Sequence, residues 1–480
     1  MEILKIAFCG LMLLSACTAT PEKERVIILT DVENEPDDCE SLVRLMLYSN
    51  EIDIRGLVAT NSTHMRNRIA PETIFGIIDA YEKVQPNLRK HSKDYPKASY
   101  LRSVVKRGST LYGMNGVGDG KDTEGSNLIV SELQRDDDRP LWVCAWGGAN
   151  VLAQALYRLR ADGLEQLIEK LRVYTISDQD DTGIWIRRNF PELFYIVSPG
   201  GYGNGTWTGI MQVAEGADNE YISNQWLADN IQRGHGPLGA CYPDVAYGME
   251  GDTPSWLSLI PNGLNAPEHP NWGGWGGRYE FYKPRREDCD PNGFTGGVPI
   301  EEEPREIWTN AIDTYSPFLP ANHGCAVLRD TAKYTGYTTT LWRWRADFQN
   351  DFAARMDWCT KSYAEANHPP VVKVSGTNSG SDNYCENCLF VSAKPGETIT
   401  LDASQSSDPD GDGLSFLWFC YPEAGCGRAV EPMGAPNIHR VSFAIPKVDK
   451  PEDFHIILKV TDKGTPQLTR YQRIIVQVKQ

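Results

Sequence analysis

The chain has 480 residues, 41% of them hydrophobic and 23% charged, an ordinary globular balance that supplies enough apolar material for two or three packed domains and excludes a disordered chain. Its formal net charge is −17 with no run of Lys and Arg, which excludes nucleic acid as a partner because phosphate binding requires a basic surface. An acidic balance of this kind suits a soluble exported protein or one that holds divalent cations.

Residues 1–16 read as an address and not as part of the fold. Lys5 opens a short apolar run over residues 6–14 that is far below the roughly 20 residues of a membrane span. The run ends in Leu14-Ser15-Ala16-Cys17, which resembles the cleavage site of bacterial lipoproteins, in which the cysteine becomes the lipidated first residue. A plain secretory signal is the alternative. The expectation is an exported protein anchored through Cys17 to the outer membrane, on its periplasmic or its cell-surface side, with no other membrane contact. Residues 17–24 would be a tether.

From residue 25 the pattern alternates strand and helix. Residues 26–30, 52–60, 141–145, 171–176 and 193–197 are short apolar runs of the kind that form buried parallel strands, and residues 37–48, 71–84 and 150–160 carry helical apolar spacing. This alternation predicts an α/β domain over residues 25–365 with a mostly parallel sheet flanked by helices. Residues 200–330 are rich in Gly, Trp, Asn and Pro and predict long loops of functional use, before helical spacing resumes over residues 342–361. Asn367-His-Pro-Pro370 breaks the chain, and alternating runs around Ile399, Phe416, Val441 and Ile456 predict a small all-β sandwich over residues 366–480. Leu401-Asp-Ala-Ser-Gln-Ser-Ser-Asp-Pro-Asp-Gly-Asp-Gly413, followed by Phe416-Leu-Trp418, resembles polycystic-kidney-disease-type, immunoglobulin-like domains. Its Asp408, Asp410 and Asp412 read as a turn in preference to a calcium loop. Of the twelve cysteines, Cys385, Cys388, Cys420 and Cys426 cluster near the end of the chain, and disulfides are favoured there over a zinc half-site.

The stretch Thr30-Asp31-Val-Glu33-Asn-Glu35-Pro-Asp37-Asp38 packs five carboxylates into eight residues at the end of the first strand, where ligands bind in open α/β sheets. Carboxylates so close repel unless a cation neutralises them, and hard oxygen ligands select Ca2+ or Mg2+. Helix-dipole placement accounts for Asp37 and Asp38 alone. Strand and acidic loop together resemble the inosine–uridine-preferring nucleoside hydrolase superfamily, and more closely its secreted bacterial branch described as cellulose-binding. The resemblance implies a Ca2+ ion held by Asp31, Asp37, Asp38, the carbonyl of Ala149 and Asp252. The spacing between Asp31 and Asp37 is two residues longer than in that family, so Glu33 competes with Asp31 for the first ligand position; the match of Ile-Leu-Thr30-Asp31 favours Asp31, which would also be the catalytic base. Glu35 becomes an extra loop carboxylate facing substrate.

The same resemblance gives sugar-binding roles to Asn61 and to Asn150. It leaves Gly251 where the family carries its histidine acid, with Glu250 as the candidate substitute and an N-cap as the bland account of Asp252. Asp180, Asp181 and Trp185 follow a strand and combine acceptors with an aromatic ring, as a sugar requires. Trp272 and Trp275, in a Gly-rich loop, would stack on sugars or plug the domain edge, and His235 is a second, weaker candidate acid. These residues together point to a calcium-dependent glycosidase acting on a glycan or glycoside, furanosyl or N-glycosidic bonds included. A carbohydrate-binding lipoprotein without turnover is the alternative. Nucleoside hydrolases are often oligomeric, which leaves an oligomer open.

Overall fold

The computed structural model describes residues 22–199, 205–215, 217–289, 296–320, 326–328, 332–376, 379–380, 388–435 and 437–479. The leader, Cys17 and Cys385 lie outside them. Residues 25–30 are apolar or β-branched almost throughout, and they form β1 (Arg25–Thr30), buried along its whole length. Its side chains alternate between two cores. Val26 and Ile28 face one, and Ile27 and Leu29 the other.

β1 lies inside an eight-stranded sheet with β2 (Asp53–Ala59), β3 (Val105–Arg107), β4 (Leu141–Ala145), β5 (Leu171–Thr175), β6 (Phe194–Val197), β7 (Tyr279–Tyr282) and β8 (Ile307–Asn310). The order is β3-β2-β1-β4-β5-β6-β8-β7, parallel except for the antiparallel β8–β7 edge. The first core is covered by α1 (Pro36–Tyr48) and α2 (Pro71–His91), with α3 (Ala98–Ser103) beside them; the second is covered by α4 (Glu124–Leu133), α5 (Asn150–Ala161) and α6 (Thr182–Asn189). The fold is thus the expected parallel sheet flanked by helices. Register puts Thr30 opposite Ala59, Leu29 opposite Ala145, and Ala145 opposite Thr175. The loops after β1, β2, β4 and β5 therefore meet at one edge of the sheet, the edge at which parallel sheets bind ligands.

Three elements differ from the sequence expectation. α2 runs past Val84 and through Pro86 to bury Leu88, with Arg89, Lys90 and His91 favourably placed at its C-terminal dipole. α4 has weak apolar spacing and is fixed at its start by a capping box between Thr123 and Ser126. The helix expected over residues 342–361 is two, Thr339–Trp342 and Arg345–Asp357, the second buried on almost every side. No helix among the described residues is long and apolar enough to cross a membrane.

The C-terminal part is all β. A four-stranded and a five-stranded sheet enclose a core that includes Leu401, Trp418, Phe443, Ile456 and Ile474. Asp410 accepts from the His368 backbone N–H and ring, and Asp408 accepts from the N–H groups of Asp410 and Asp412, so this acidic run is a turn. Cys388 is disulfide-bonded, whereas Cys420 and Cys426 keep free thiols.

The two parts are joined by buried polar contacts. Gly263 has φ +84 and presses on the Tyr471 carbonyl, 1.9 Å from where a Cβ would lie, so the chain there can only be glycine. The Tyr471 N–H donates to the Asn262 carbonyl at 2.9 Å and the Arg473 N–H to the Gly263 carbonyl at 2.9 Å. The buried Arg473 guanidinium donates to the carbonyls of Leu264 and Gly273 and to His455 Nδ1. Asp313 takes Arg278, Arg343 and the Tyr421 hydroxyl, and Asp347 takes Lys459 and Tyr471.

Burial, with Arg473 and then His269 as further causes, holds His455 well below the ordinary histidine value of 6.5. The unfolded chain then binds the extra proton that the folded one refuses. The stability this contact contributes is present above pH 6.5 and is lost as pH falls below it. Denaturant titrations should show a stability loss approaching about 1.4 kcal/mol per pH unit in that window. His455→Gln, which keeps an acceptor for Arg473 and cannot charge, should flatten it.

Candidate functional site

The loop after β1 turns its carboxylates in two directions. Glu33 takes the left-handed conformation (φ 79), and its exposed side chain pairs with Arg68 and Thr73. Asp31 is buried at the strand end. Asp31 is thus turned into the interior with Asp37 and Asp38, whereas Glu33 faces solvent. Pro36 starts α1, and Asp37 and Asp38 in its first turn point inward. Asp38 accepts from the Thr30 hydroxyl; Asp37 accepts from the Asp38 N–H at 3.1 Å and from the Trp207 indole N–H at 2.8 Å.

Asp252 arrives from a segment far along the chain. Its carbonyl accepts from the Ser255 N–H and hydroxyl, and the neighbouring Thr253 hydroxyl donates to Ser41 of α1. It is thus not the side-chain cap of the short helix Pro254–Leu257. One oxygen from each of Asp37, Asp38 and Asp252 lies within 4.8 Å of the others.

Two buried carboxylate oxygens, Asp31 Oδ2 and Asp252 Oδ2, have no hydrogen-bond donor. Burial first, and then repulsion among the group, pushes Asp31 up to about 7 and Glu35 up to about 8, and lifts Asp38 and Asp252 well above the usual carboxylate range. Burial alone raises Asp37 to about 6, against the hydrogen bond from Trp207. Two such charges ~4 Å apart cost roughly 4 kcal/mol at an effective dielectric constant of 20. Orphaned acceptors among these buried carboxylates fit a hard divalent cation, which Asp37, Asp38 and Asp252 are close enough to share, with Asp31 beside them. Ala149 lies in the adjoining turn; its carbonyl accepts from the Ala153 N–H and keeps a second lone pair.

The turn after β4 is glycine because space demands it. A Cβ on Gly147 would lie 2.7 Å from Asp31 Oδ1, and one on Gly148 would lie 2.5 Å from Asp180 Oδ2. Asp31 and Asp180 therefore flank a single two-residue turn. Asp180 is buried; its Oδ1 takes both the N–H and the hydroxyl of Thr182, while Oδ2 has no donor, and burial raises it to about 6. Asp180 and the exposed Asp181 line a cavity of about 360 Å³ with Arg66, Tyr112 and Glu301, large enough for a sugar ring.

Other expected site residues are engaged elsewhere. Asn61 and Asn150 bond to each other at 3.1 Å and to the carbonyls of Ser109 and Leu111, so they brace the loops beneath the site. Trp185 packs edge-on against Phe190 over the second core. Trp275 is fully buried and donates to the Tyr471 hydroxyl at 3.3 Å, and Trp272 stacks on His269 and meets His455 edge-on; the Gly-rich aromatic loop is a wedge between the two parts of the chain. His235 bonds Asp357.

Glu250 is not a free acid. It is fully buried, 2.7 Å from Arg44, and accepts from the Tyr242 hydroxyl at 2.7 Å. Its backbone N–H donates to Glu40, and φ 49 puts it in the left-handed region, so it anchors the bend that delivers Asp252. Trp207 is the residue that sequence reasoning missed. It reaches Asp37 from an irregular segment whose sequence gives no sign of the contact.

The profile of cellulose-binding Sde182, nucleoside hydrolase-like domain, matches residues 25–279, more than half of the chain and every residue of the carboxylate cluster. The chain belongs to this Sde182 family. The profile of the cellulose-binding protein Sde0182 C-terminal domain matches residues 398–478. A solved structure of a nucleoside hydrolase-related hypothetical protein from Saccharophagus degradans, described as associated with carbohydrate metabolism, is 34% identical, covers 95% of this chain and 100% of its own, and superposes with a TM-score of 0.76. The effector protein XOO4466 aligns over 60% of this chain and 88% of its own at 10% identity and a TM-score of 0.29, which carries no argument. No curated protein matches the chain in sequence.

In this Sde182-type site, removing one buried charge should stabilise the metal-free protein. Without divalent cation, at a pH high enough to ionise the cluster, Asp252→Asn should raise the unfolding free energy by an amount on the order of 1–4 kcal/mol, the cost of two charges ~4 Å apart at dielectric constants from 80 to 20. With Ca2+ at a hundred times its Kd the wild type should gain about 2.7 kcal/mol and the variant much less. Glu250→Gln leaves Arg44 buried without its charge partner and should cost about 3–5 kcal/mol by denaturant titration.

Proposed function

We propose that the protein is a calcium-dependent hydrolase of a glycosidic bond in a plant or microbial glycan, exported and held at the outer membrane through Cys17. The observation that carries the reading is the donor-free, buried Asp31 Oδ2 beside three carboxylates that can share one cation. Membership of a nucleoside hydrolase-like family described as cellulose-binding supports a carbohydrate as partner.

A divalent cation bound by these carboxylates would acidify water and take up sugar hydroxyls. The protein's own residues do the rest. Asp31 accepts the proton of the water that attacks the anomeric carbon as the glycosidic bond breaks, and the departing group takes up a proton from solvent. Asp180 Oδ2, free of other donors and on the other flank of the Gly147-Gly148 turn, accepts a hydrogen bond from a sugar hydroxyl. The sugar then extends into the cavity lined by Tyr112 and Asp181. Burial strengthens each of these contacts by excluding water.

A second reading has its own support. Glu250 is locked by Arg44, and a glycine stands at residue 251, so no described histidine or glutamate occupies the family's acid position. A site that binds sugar without turning it over would look the same.

A panel of aryl furanosides and pyranosides, nucleosides and cell-wall oligosaccharides, with and without Ca2+, separates the two. The hydrolase reading predicts calcium-dependent release of reducing sugar, cut by about 10²-fold or more in Asp31→Asn. No release from any compound, together with calcium-dependent retention on cellulose, would replace it with the binding reading.

A further inference from the structure

We infer that Trp207 is a positioning residue of the carboxylate site, and that Gly248 and Gly251 are glycine in order to admit its indole. The inference rests on the cation reading above and adds to it a residue that holds one ligand in place.

The φ of Gly251 is not in the left-handed region, so backbone conformation does not explain the glycine. Space does. A Cβ there would lie 2.0 Å from Trp207 Cδ1 and 2.2 Å from Nε1, and its three nearest atoms all belong to that indole. Gly248 meets the far edge of the same ring, with a Cβ at 2.6 Å from Cζ2, and its φ is likewise ordinary. Between these glycines Glu250 is in the left-handed region, and Tyr247 precedes them in the same conformation (φ 64). The segment thus bends around the indole.

The ring fills the space into which a side chain at residue 251 would project, and it does so with direction. Its N–H donates to Asp37 Oδ2 at 2.8 Å, while the Asp38 N–H holds Oδ1 at 3.1 Å. The two donors fix the plane of the Asp37 carboxylate, and with it the lone pairs that remain for a cation. Hydrogen bonds of this kind to a ligating carboxylate are worth 10–100-fold in metal affinity. A histidine restored at residue 251 would collide with the indole, so the absence of that acid and the presence of Trp207 are one structural choice.

The test is calorimetric titration of the protein with Ca2+, with thermal unfolding in chelator as the control for folding. Trp207→Phe keeps a ring and loses the N–H; it should weaken Ca2+ binding about 10-fold or more. Gly251→Ala should weaken it comparably by displacing the indole. In a Trp207→Ala background, Gly251→Ala should cost nothing further, because the clash is gone. Affinity within twofold of wild type in Trp207→Phe would reduce the indole to filler and overturn the inference while leaving the cation reading intact. An undiminished loss from Gly251→Ala in the Trp207→Ala background would also overturn it, by showing that the glycine serves Asp252 directly. A wild type that binds no Ca2+ would remove both the inference and the reading beneath it.

Discussion

Four buried carboxylates that no arginine or lysine among the described residues neutralises dominate this structure. Arg44 lies nearby, but it pairs with Glu250; Arg187, which also lines the cavity, pairs with Asp178 and Glu303. The fold thus spends its buried cations on other anions and leaves Asp31, Asp37, Asp38 and Asp252 to repel one another. Such a cluster persists where a cation offsets the repulsion, where protons neutralise it, or where stability is surrendered for function. Much of the surrounding architecture follows from holding it together. The Thr30 hydroxyl fixes Asp38, Thr253 ties the Asp252 segment to α1 through Ser41, and the buried Glu250–Arg44 pair locks the bend in front of Asp252.

The second constraint is the junction with the C-terminal sheets. Backbone pairing between Asn262-Gly263 and Tyr471-Arg473 makes the last long strand part of the N-terminal part's surface. Segment 252–278 is therefore gripped at one end by the carboxylate site and at the other by the β sandwich.

The strand alternation, the two helical faces and the acidic loop were legible in the sequence because each is local. Residues 26–30 are apolar throughout, and five carboxylates lie within eight positions. Asp252 was legible only through resemblance, since Glu250-Gly251-Asp252 by itself does not mark a ligand. The misplaced assignments share a cause. Asn61 and Asn150 are amides, which brace a loop as readily as they bind a sugar, and only the bond between them decides. Trp272 and Trp275 look like a stacking surface until the sandwich covers them. Trp207 left no signal at all, because its contact with Asp37 spans 170 residues and its meaning lies in the glycines at 248 and 251.

The most direct test of the central claim is an anomalous-difference map from crystals of the protein grown with Ca2+, recorded at a wavelength where calcium scatters anomalously. The account predicts one strong peak with oxygens of Asp31, Asp37, Asp38 and Asp252 about 2.3–2.6 Å away. A map with no peak among these carboxylates, at a Ca2+ concentration that fills ordinary sites of the kind, would contradict it and leave four buried acids that must instead be carrying protons.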